Sequence, residues 1–229
     1  MVATHQLIFL PWPGFFAKAL VADYLVLLDC VQFPLGRGWV NRNRLKSDAG
    51  ELWLTVPVHK KDRSFQQICD VEIYNEENWQ KKHLQSLRHY YSNAPYFEET
   101  FAEVEKIYFH KPRFLADLNW AFIKFFWKRF KPKARIIRQS ELKIDSKGTE
   151  LIVNICQHFN SKNYLNFIAA KKYLDSEKMA QAGIGFNALK FQPPVYPQLW
   201  SDFIYNLSAL DLWLNCGDKW IEYVRHGLR

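Results

Sequence analysis

Short apolar runs separated by turn signals begin the chain and predict alternating strand and helix. Residues 6–10 are largely apolar and end at a turn signal, residues 11–14, which contains two prolines and a glycine. Residues 15–21 are predicted to form a helix that begins at this turn. Residues 24–28 are apolar and lie between two aspartates, which is typical of a buried strand.

A second group of strand signals follows residues 34–46, a segment rich in glycine and arginine that we interpret as a loop. Residues 51–58 alternate, with apolar residues at even positions and polar or aromatic residues at odd positions, up to residue 55. Residues 68–74 are a further strand candidate beyond a polar connection at 59–67. The two segments are predicted to pair as an antiparallel unit.

Helical periodicity then replaces alternation. Apolar residues recur every three or four positions over 79–90 and 97–107, with Ala94-Pro95 between them. Residues 114–130 are mostly apolar and predict a buried helix that ends before Pro132. Together these helices predict a helical insertion at about residues 76–131.

The remainder alternates between strand and helix patterns. Strands are predicted at 135–138, near Tyr164 and at 184–189, and helices at 149–159 and 171–182. Strands that alternate with helices of about a dozen residues indicate βαβ units. We therefore expect an α/β fold, a single domain over residues 1–229 with a mixed, largely parallel sheet flanked by helices.

Composition narrows the class of protein. The 229 residues are 48% hydrophobic and 17% aromatic, which excludes a disordered or fibrous chain. No apolar run reaches the length of a membrane helix, and no secretory signal is recognised at the N-terminus. Four widely spaced cysteines indicate neither a zinc site nor a disulfide framework. We expect a cytoplasmic protein without a membrane span; the sequence identifies no cofactor and no metal site.

The positive charge is concentrated in one window. The formal net charge is +8, and residues 111–143 hold ten Lys or Arg against two acidic residues. Such an excess attracts phosphates and nucleic acids. However, several of these cations lie near the C-terminal end of the predicted helix 114–130, where they complement the helix dipole. The sequence favours a solvated helix end over a nucleic-acid patch, because no nucleic-acid motif accompanies it.

The first candidate site follows the first apolar run of the chain. His5 and Gln6 precede a turn that contains Trp12 and Gly14, and Lys18 follows in the predicted helix. A glycine turn between a strand and a helix is where α/β proteins place ligands. His5 is a candidate acid or base, and Lys18 is a candidate phosphate ligand. The alternative is a structural histidine and a surface lysine.

The second candidate site follows the predicted strand 24–28. Asp29 and Gln32 flank its end, so their polar groups must contact water or form hydrogen bonds with the protein or a ligand. The segment after Trp39 alternates amide and guanidinium groups, in Asn41, Arg42, Asn43 and Arg44. These side chains suit carboxylate, phosphate or sugar hydroxyl groups. A plain surface loop is an equally weighted alternative.

The third candidate site lies near the C-terminus. It contains Tyr196, Gln198 and Asp211, and Asp211 lies in an otherwise apolar segment three residues after Ser208. An acid in such a segment is either a site carboxylate or a partner of the helix dipole, and the dipole interpretation is slightly favoured.

Taken together, these motifs resemble the WbqC-like protein family over almost the whole chain. The resemblance rests on His5-Gln6, Leu10-Pro11-Trp12, Gly14-Phe15-Phe16, Leu28-Asp29, Val31-Gln32-Phe33, Trp39 with Asn41-Arg42-Asn43-Arg44, Leu54-Thr55-Val56-Pro57-Val58, Tyr196-Pro197-Gln198, Leu207-Ser208, Asp211-Leu212 and Asn215-Cys216-Gly217. The sequence departs from the family pattern at Leu7-Ile8, at Cys30 and at Asn166-Phe167-Ile168. These departures favour a divergent substrate or a reduced activity.

The resemblance implies a bacterial protein of surface-polysaccharide (O-antigen) biosynthesis that transfers an amino acid such as glycine, or another acyl group, to an amino sugar. Under this hypothesis His5 is the general base, Asp29 and Gln32 orient the site, and Asn41, Arg42 and Arg44 hold the anionic part of a nucleotide-linked sugar or aminoacyl donor. The remaining substrate contacts are predicted for Gln6, Trp12, Gly14, Lys18, Trp39, Asn43, Tyr196, Gln198 and Asp211. The alternative is a non-catalytic nucleotide-, glycan- or RNA-binding protein.

Overall fold

The computed structural model describes residues 1–34, 36, 38–59, 65–200 and 202–229. The strands of these residues are β1 (Val2–Gln6), β2 (Tyr24–Leu28), β3 (Arg42–Ser47), β4 (Gly50–Thr55), β5 (Arg135–Arg138), β6 (Asn163–Phe167) and β7 (Gly185–Leu189). The α-helices are α1 (Pro13–Val21), α2 (Trp79–Tyr91), α3 (Phe97–Phe109), α4 (Leu115–Phe130), α5 (Gln139–Leu142), α6 (Gly148–His158), α7 (Ser176–Gln181), α8 (Ala209–Cys216) and α9 (Trp220–His226).

A five-stranded parallel sheet forms the centre, in the order β5-β2-β1-β6-β7. The predicted α/β class is confirmed. Antiparallel strand pairing, expected within a mixed sheet, is found instead in a separate hairpin of β3 and β4. β1 lies at the middle of the sheet and is paired with β2 from Val2 to Gln6. Its first residues are fully buried because helices cover both faces of a parallel sheet.

Two groups of helices cover the two faces. On one face, Phe16 of α1 packs edge-on against Phe126 of α4 and Trp220 of α9, with ring centroids 5.5 and 5.0 Å apart. On the other face, Leu151 and Ile155 of α6 belong to a smaller apolar cluster with residues of β1, β2 and β6. The strand order reverses at β1, since β2 and β5 lie on one side and β6 and β7 on the other. In open α/β sheets, the crevice at the carboxyl ends of the strands beside such a reversal is the usual ligand site.

The first strand is placed differently from the sequence expectation. The strand is Val2–Gln6, and the apolar residues 7–10 follow it as a buried loop. This loop is held by the insertion, because the Asn119 amide of α4 donates to the carbonyls of Leu7 and Val40, at 3.0 and 2.8 Å. The His5-Gln6 pair therefore lies at the carboxyl end of the central strand.

The predicted antiparallel unit of 51–58 with 68–74 is present only as a single bridge at the ends of the two segments. β4 pairs instead with β3, which lies in the segment interpreted as a loop, and Arg44 is directly opposite Trp53. Residues 68–70 form a 3-10 helix, with an isolated bridge between Val58 and Ile73. A two-residue connection closes the β3–β4 hairpin, and Gly50 at its end has a φ of 112°, which favours glycine.

The helical predictions are mostly confirmed. Helices α2, α3 and α4 form the expected insertion within residues 76–131. The predicted helix at 171–182 is divided, because Asp175 accepts hydrogen bonds from the backbone N–H groups of Glu177 and Lys178 and so starts α7 at Ser176. The preceding residues, Ile168–Tyr173, form a 3-10 helix.

Candidate functional site

A cleft of about 320 Å³ lies at the carboxyl edge of the sheet, beside the point where the strand order reverses. Its lining brings together residues from the end of β1, the turn before α1, the segment before the hairpin and β3. Six residues predicted from the sequence contribute to it: His5, Gln6, Trp12, Trp39, Asn43 and Arg44. The position and size are those of a small-molecule site.

His5 is neutral in this environment. Burial, and then the nearby charge of Lys18, lower the pKa of His5 from 6.5 to about 3. Its Nδ1 lies 2.9 Å from the carbonyl oxygen of Gln6, which can only accept, so Nδ1 carries the hydrogen. Nε2 therefore keeps its lone pair and can accept a hydrogen bond. A general base works best with a pKa near the operating pH. The low pKa of His5 therefore favours a role as a hydrogen-bond acceptor over a role as a base that takes up a proton.

Lys18 lies beneath the cleft instead of in its lining. Its side chain is buried, and the Nζ donates to the carbonyl of Thr4 at 2.7 Å and to Oδ1 of Asn166 at 2.6 Å. The group thus bridges β1 and β6, and burial lowers the pKa of Lys18 from 10.5 to about 7. Because protein acceptors already surround the amine, this placement provides no contact for a substrate phosphate.

Asn166 completes this buried network. Its Nδ2 donates to the hydroxyl of Tyr164 at 2.7 Å, and that hydroxyl lies 2.7 Å from the hydroxyl of Thr4. Asn166 thus has a structural partner in Lys18, and the two side chains belong to one buried hydrogen-bonded arrangement.

The amides of the hairpin segment point inward. Asn43 donates to the carbonyls of Phe9 and Leu10, at 3.1 and 2.7 Å, and Asn41 donates to the carbonyl of Val56 at 2.9 Å. Both asparagines are buried. They hold the hairpin against the loop after β1 and so set the width of the cleft. Their amide groups are already hydrogen-bonded within the protein and are not available to a ligand.

The two arginines of β3 lie on the outward face of the hairpin. Arg44 forms an ion pair with Glu51 and donates to the carbonyl of Tyr205 at 3.1 Å. Its Nε is buried without a hydrogen-bond partner among the described residues, although Arg44 lines the cleft. Arg42 donates to the carbonyl of Gly38 at 3.3 Å. Unsatisfied buried donors are costly, so the Arg44 Nε is a group that a ligand acceptor would satisfy.

Trp12 and Gly14 depend on each other. The Trp12 ring packs against Phe167 and Phe191, with centroids 5.3 and 5.8 Å apart, at the beginning of α1. A Cβ at position 14 would lie 2.2 Å from the Trp12 ring, so the ring would have to move. Gly14 therefore contributes to the site by allowing the indole to fold over the start of the helix.

Asp29 and Gln32 lie outside the cleft lining. The Asp29 carboxylate is buried and accepts from the backbone N–H and the hydroxyl of Ser140, at 2.9 and 2.7 Å, which fixes α5 after β5. Gln32 lines a separate cavity of about 360 Å³ together with Cys30. The structure thus gives Asp29 a bracing contact and places neither residue against His5.

The third candidate cluster is a buried hydrogen-bonded group of Asp211, Tyr91 and Tyr196, called the brace below. The Asp211 carboxylate of α8 accepts hydrogen bonds from the hydroxyls of Tyr91 and Tyr196, the second at 2.7 Å. Burial raises the pKa of Asp211 from 3.8 to about 6. Gln198 exchanges two hydrogen bonds with the backbone of Ile204, at 2.8 and 3.0 Å. None of the three predicted residues of this cluster lines the cleft.

Two residues that the sequence analysis did not select line the cleft, and a third packs against its lining. Ile8 and Asn206 line the cleft, and Trp53 packs against Trp39 with centroids 5.5 Å apart. Trp53 carried a signal, since it is a large aromatic residue on the polar side of an alternating strand. Asn206 carried little signal, because it reaches the cleft from a loop far along the chain.

Two further features of the described part of the chain concern metals and membranes. No group of three or more His, Cys, Asp or Glu side chains there is arranged to hold a metal ion. Among the helices of these residues, none combines the length and the apolar character that crossing a membrane requires.

The basic window of the sequence is partly solvent-exposed. Within α4, Lys124 and Lys128 of this window are exposed, while Arg129 pairs with Glu103.

Comparisons with known proteins agree with the motifs of the sequence. The model of the WbqC-like protein family matches residues 6–223. The chain is also similar to the uncharacterised protein Rv1507c of Mycobacterium tuberculosis, with 29% identity over 227 residues, which covers 98% of this chain and 97% of that protein. No solved structure matches the chain. Because the family match spans nearly its whole length, this chain belongs to the WbqC-like protein family.

Proposed function

We propose that this protein is a transferase of bacterial surface-polysaccharide biosynthesis, which moves an amino acid such as glycine, or another acyl group, onto an amino sugar. Membership of the WbqC-like family supports the biological setting. The observation that carries the proposal is the convergence of His5, Gln6, Trp39 and Arg44 on one cleft at the carboxyl edge of a parallel sheet.

In this proposal the acceptor amine binds beside β1. Nε2 of His5 accepts a hydrogen bond from the amine, and the Gln6 side chain, exposed and without a partner among the described residues, orients the sugar. The free amine attacks the acyl carbon, a C–N bond forms, and the bond from the acyl carbon to the carrier oxygen breaks. The departing oxygen takes the proton that the amine loses, so His5 does not need to hold it.

Arg44 serves the donor in the same proposal. Its unpaired Nε donates to an oxygen of the donor, while Glu51 and Tyr205 keep the guanidinium in place. A donor fixed beside the acceptor converts the reaction into an effectively unimolecular one. Asp29 contributes by bracing α5 and makes no contact with the reacting groups.

The test is a transfer assay on the purified chain. Amino sugars linked to a nucleotide or to another carrier are incubated with glycyl donors, and mass spectrometry follows the gain of one glycyl group on the sugar. His5→Ala and Gln6→Ala should each lower turnover, whereas His89→Ala, on an exposed position of α2, should not. Full turnover in the two cleft variants, or no mass gain with any donor and acceptor pair, would refute the proposal.

Binding without catalysis is the second candidate function. The exposed lysines of the basic window and the low basicity of His5 favour it. A protein that binds RNA should be stabilised against heat by RNA, with a steep loss of that stabilisation as salt rises. Stabilisation by RNA alone, together with an absence of transfer, would favour this function over the transferase.

A further inference from the structure

We infer that Trp39, supported by Trp53, is the surface on which the base of a nucleotide-linked ligand stacks. The inference rests on the proposed function, because it names the part of the donor or acceptor that this side of the cleft receives. It starts from an arrangement of four side chains on the outward face of the hairpin and the segment before it.

Two tryptophans are exposed beside the cleft. Trp39 is 45% exposed and Trp53 is 39% exposed, although indole rings are usually much more buried. Their rings are 5.5 Å apart at an interplanar angle of 30°, so Trp53 fixes the plane of Trp39 from one side. Trp39 also lines the cleft. A fixed indole that reaches a ligand cleft gives a planar ring a surface to stack on.

Cations hold this pair and add charge to it. The guanidinium carbon of Arg42 lies 4.4 Å from the centre of the Trp53 ring, and that of Arg44 lies 5.7 Å from the centre of the Trp39 ring. Arg44 is neutralised by Glu51, whereas Arg42 has no acidic partner among the described residues. The surface therefore combines aromatic faces with one uncompensated positive charge, which suits a base attached to phosphate.

The hydrogen-bonding groups nearby favour a base over a sugar ring. A sugar requires several partners around its hydroxyls, but the amides of Asn41 and Asn43 and two nitrogens of Arg44 are already used by protein acceptors. A base requires an aromatic face and one or two partners at its edge. Asn206, exposed in the lining and without a side-chain partner among the described residues, can supply such a contact.

The test measures equilibrium binding by calorimetry, separately from transfer. The probes are the diphosphates of uridine, cytidine, adenosine, guanosine and thymidine, with free glucosamine as the sugar probe. The variants are Trp39→Leu, which removes the aromatic face, and Trp39→Phe, which keeps one. Trp200→Leu is the matched control, because Trp200 is 41% exposed and lies outside the cleft lining.

Stacking of one base on an aromatic side chain predicts that Trp39→Leu weakens the best nucleotide about five-fold to 150-fold. Trp39→Phe should recover most of that affinity, and Trp200→Leu should bind like the wild type. Binding of the free sugar should not change in Trp39→Leu. Equal nucleotide affinity in wild type and Trp39→Leu, or a parallel loss for the free sugar, would overturn the inference.

The two proposals can fail separately. If no nucleotide binds the wild-type chain but the transfer assay shows a mass gain on a sugar carried by another group, the inference is overturned and the proposed function stands. If nucleotides bind in a Trp39-dependent way but no transfer occurs with any pair, the stacking surface is supported and the transferase is not.

Discussion

Replacement of the buried Lys18 by Met should change how the stability of the protein depends on pH. The folded state lowers the pKa of Lys18 from 10.5 to about 7 through burial, so the unfolded chain binds more protons between these values. The free energy of unfolding of the wild type should therefore rise with pH in this window, by about 1.5 kcal/mol from roughly pH 7 to pH 8.5 for this one group. Lys18→Met removes the titrating amine, and that rise should disappear with it.

The slope of stability against pH isolates the titration of Lys18, whereas the absolute stability does not. The absolute stability of Lys18→Met combines two opposite effects, since the variant no longer buries an ionisable amine but removes a donor from the Thr4 carbonyl and from the Asn166 Oδ1. The difference in pH dependence of the free energy of unfolding between the wild type and Lys18→Met contains only the titration of Lys18. Comparison of variants at each pH also cancels every other group that titrates in the same range.

Urea unfolding followed by tryptophan fluorescence, in steps between about pH 7 and pH 8.5, measures this slope. Lys124→Met is the matched control, because Lys124 is exposed on α4 and its removal should leave the wild-type slope unchanged. Parallel curves for the wild type and Lys18→Met would refute the reasoning, since they would mean that Lys18 keeps an ordinary proton affinity in the folded protein.

Three further predictions concern the cleft and the brace beside it. The ring signals of His5 in NMR spectra should show no titration between about pH 5 and pH 8, because its pKa is lowered to about 3. Gly14→Ala should lower the free energy of unfolding by about 1–3 kcal/mol in urea, since the new Cβ would meet the Trp12 ring. Tyr196→Phe should destabilise the fold by about 1–3 kcal/mol, and more above about pH 6 than below it, because the Asp211 carboxylate that loses its donor is ionised there. A titrating His5, an unchanged Gly14→Ala variant or a Tyr196→Phe loss independent of pH would contradict the respective argument.

Local patterns determined most elements of the sheet and the insertion. The strand at 24–28 and the helices of residues 79–130 have periodicities that depend only on neighbouring residues, so the sequence was sufficient to predict them. The pairing of strands was different. The Asn and Arg alternation around β3 resembles a polar loop, because the inward-facing Asn43 has an amide that donates only to the loop after β1.

For the candidate site, the sequence by itself determined that His5, Gln6 and the hairpin residues Asn43 and Arg44 carry groups suited to a ligand. Only the tertiary structure decided that these four line the same cleft, and that Asp211 lies in a separate brace. It also decided that Lys18 is enclosed and His5 neutral. The physical reason is that hydrogen-bond satisfaction and proton affinity depend on which distant elements cover a side chain, and that packing is not encoded in the spacing of residues along the chain.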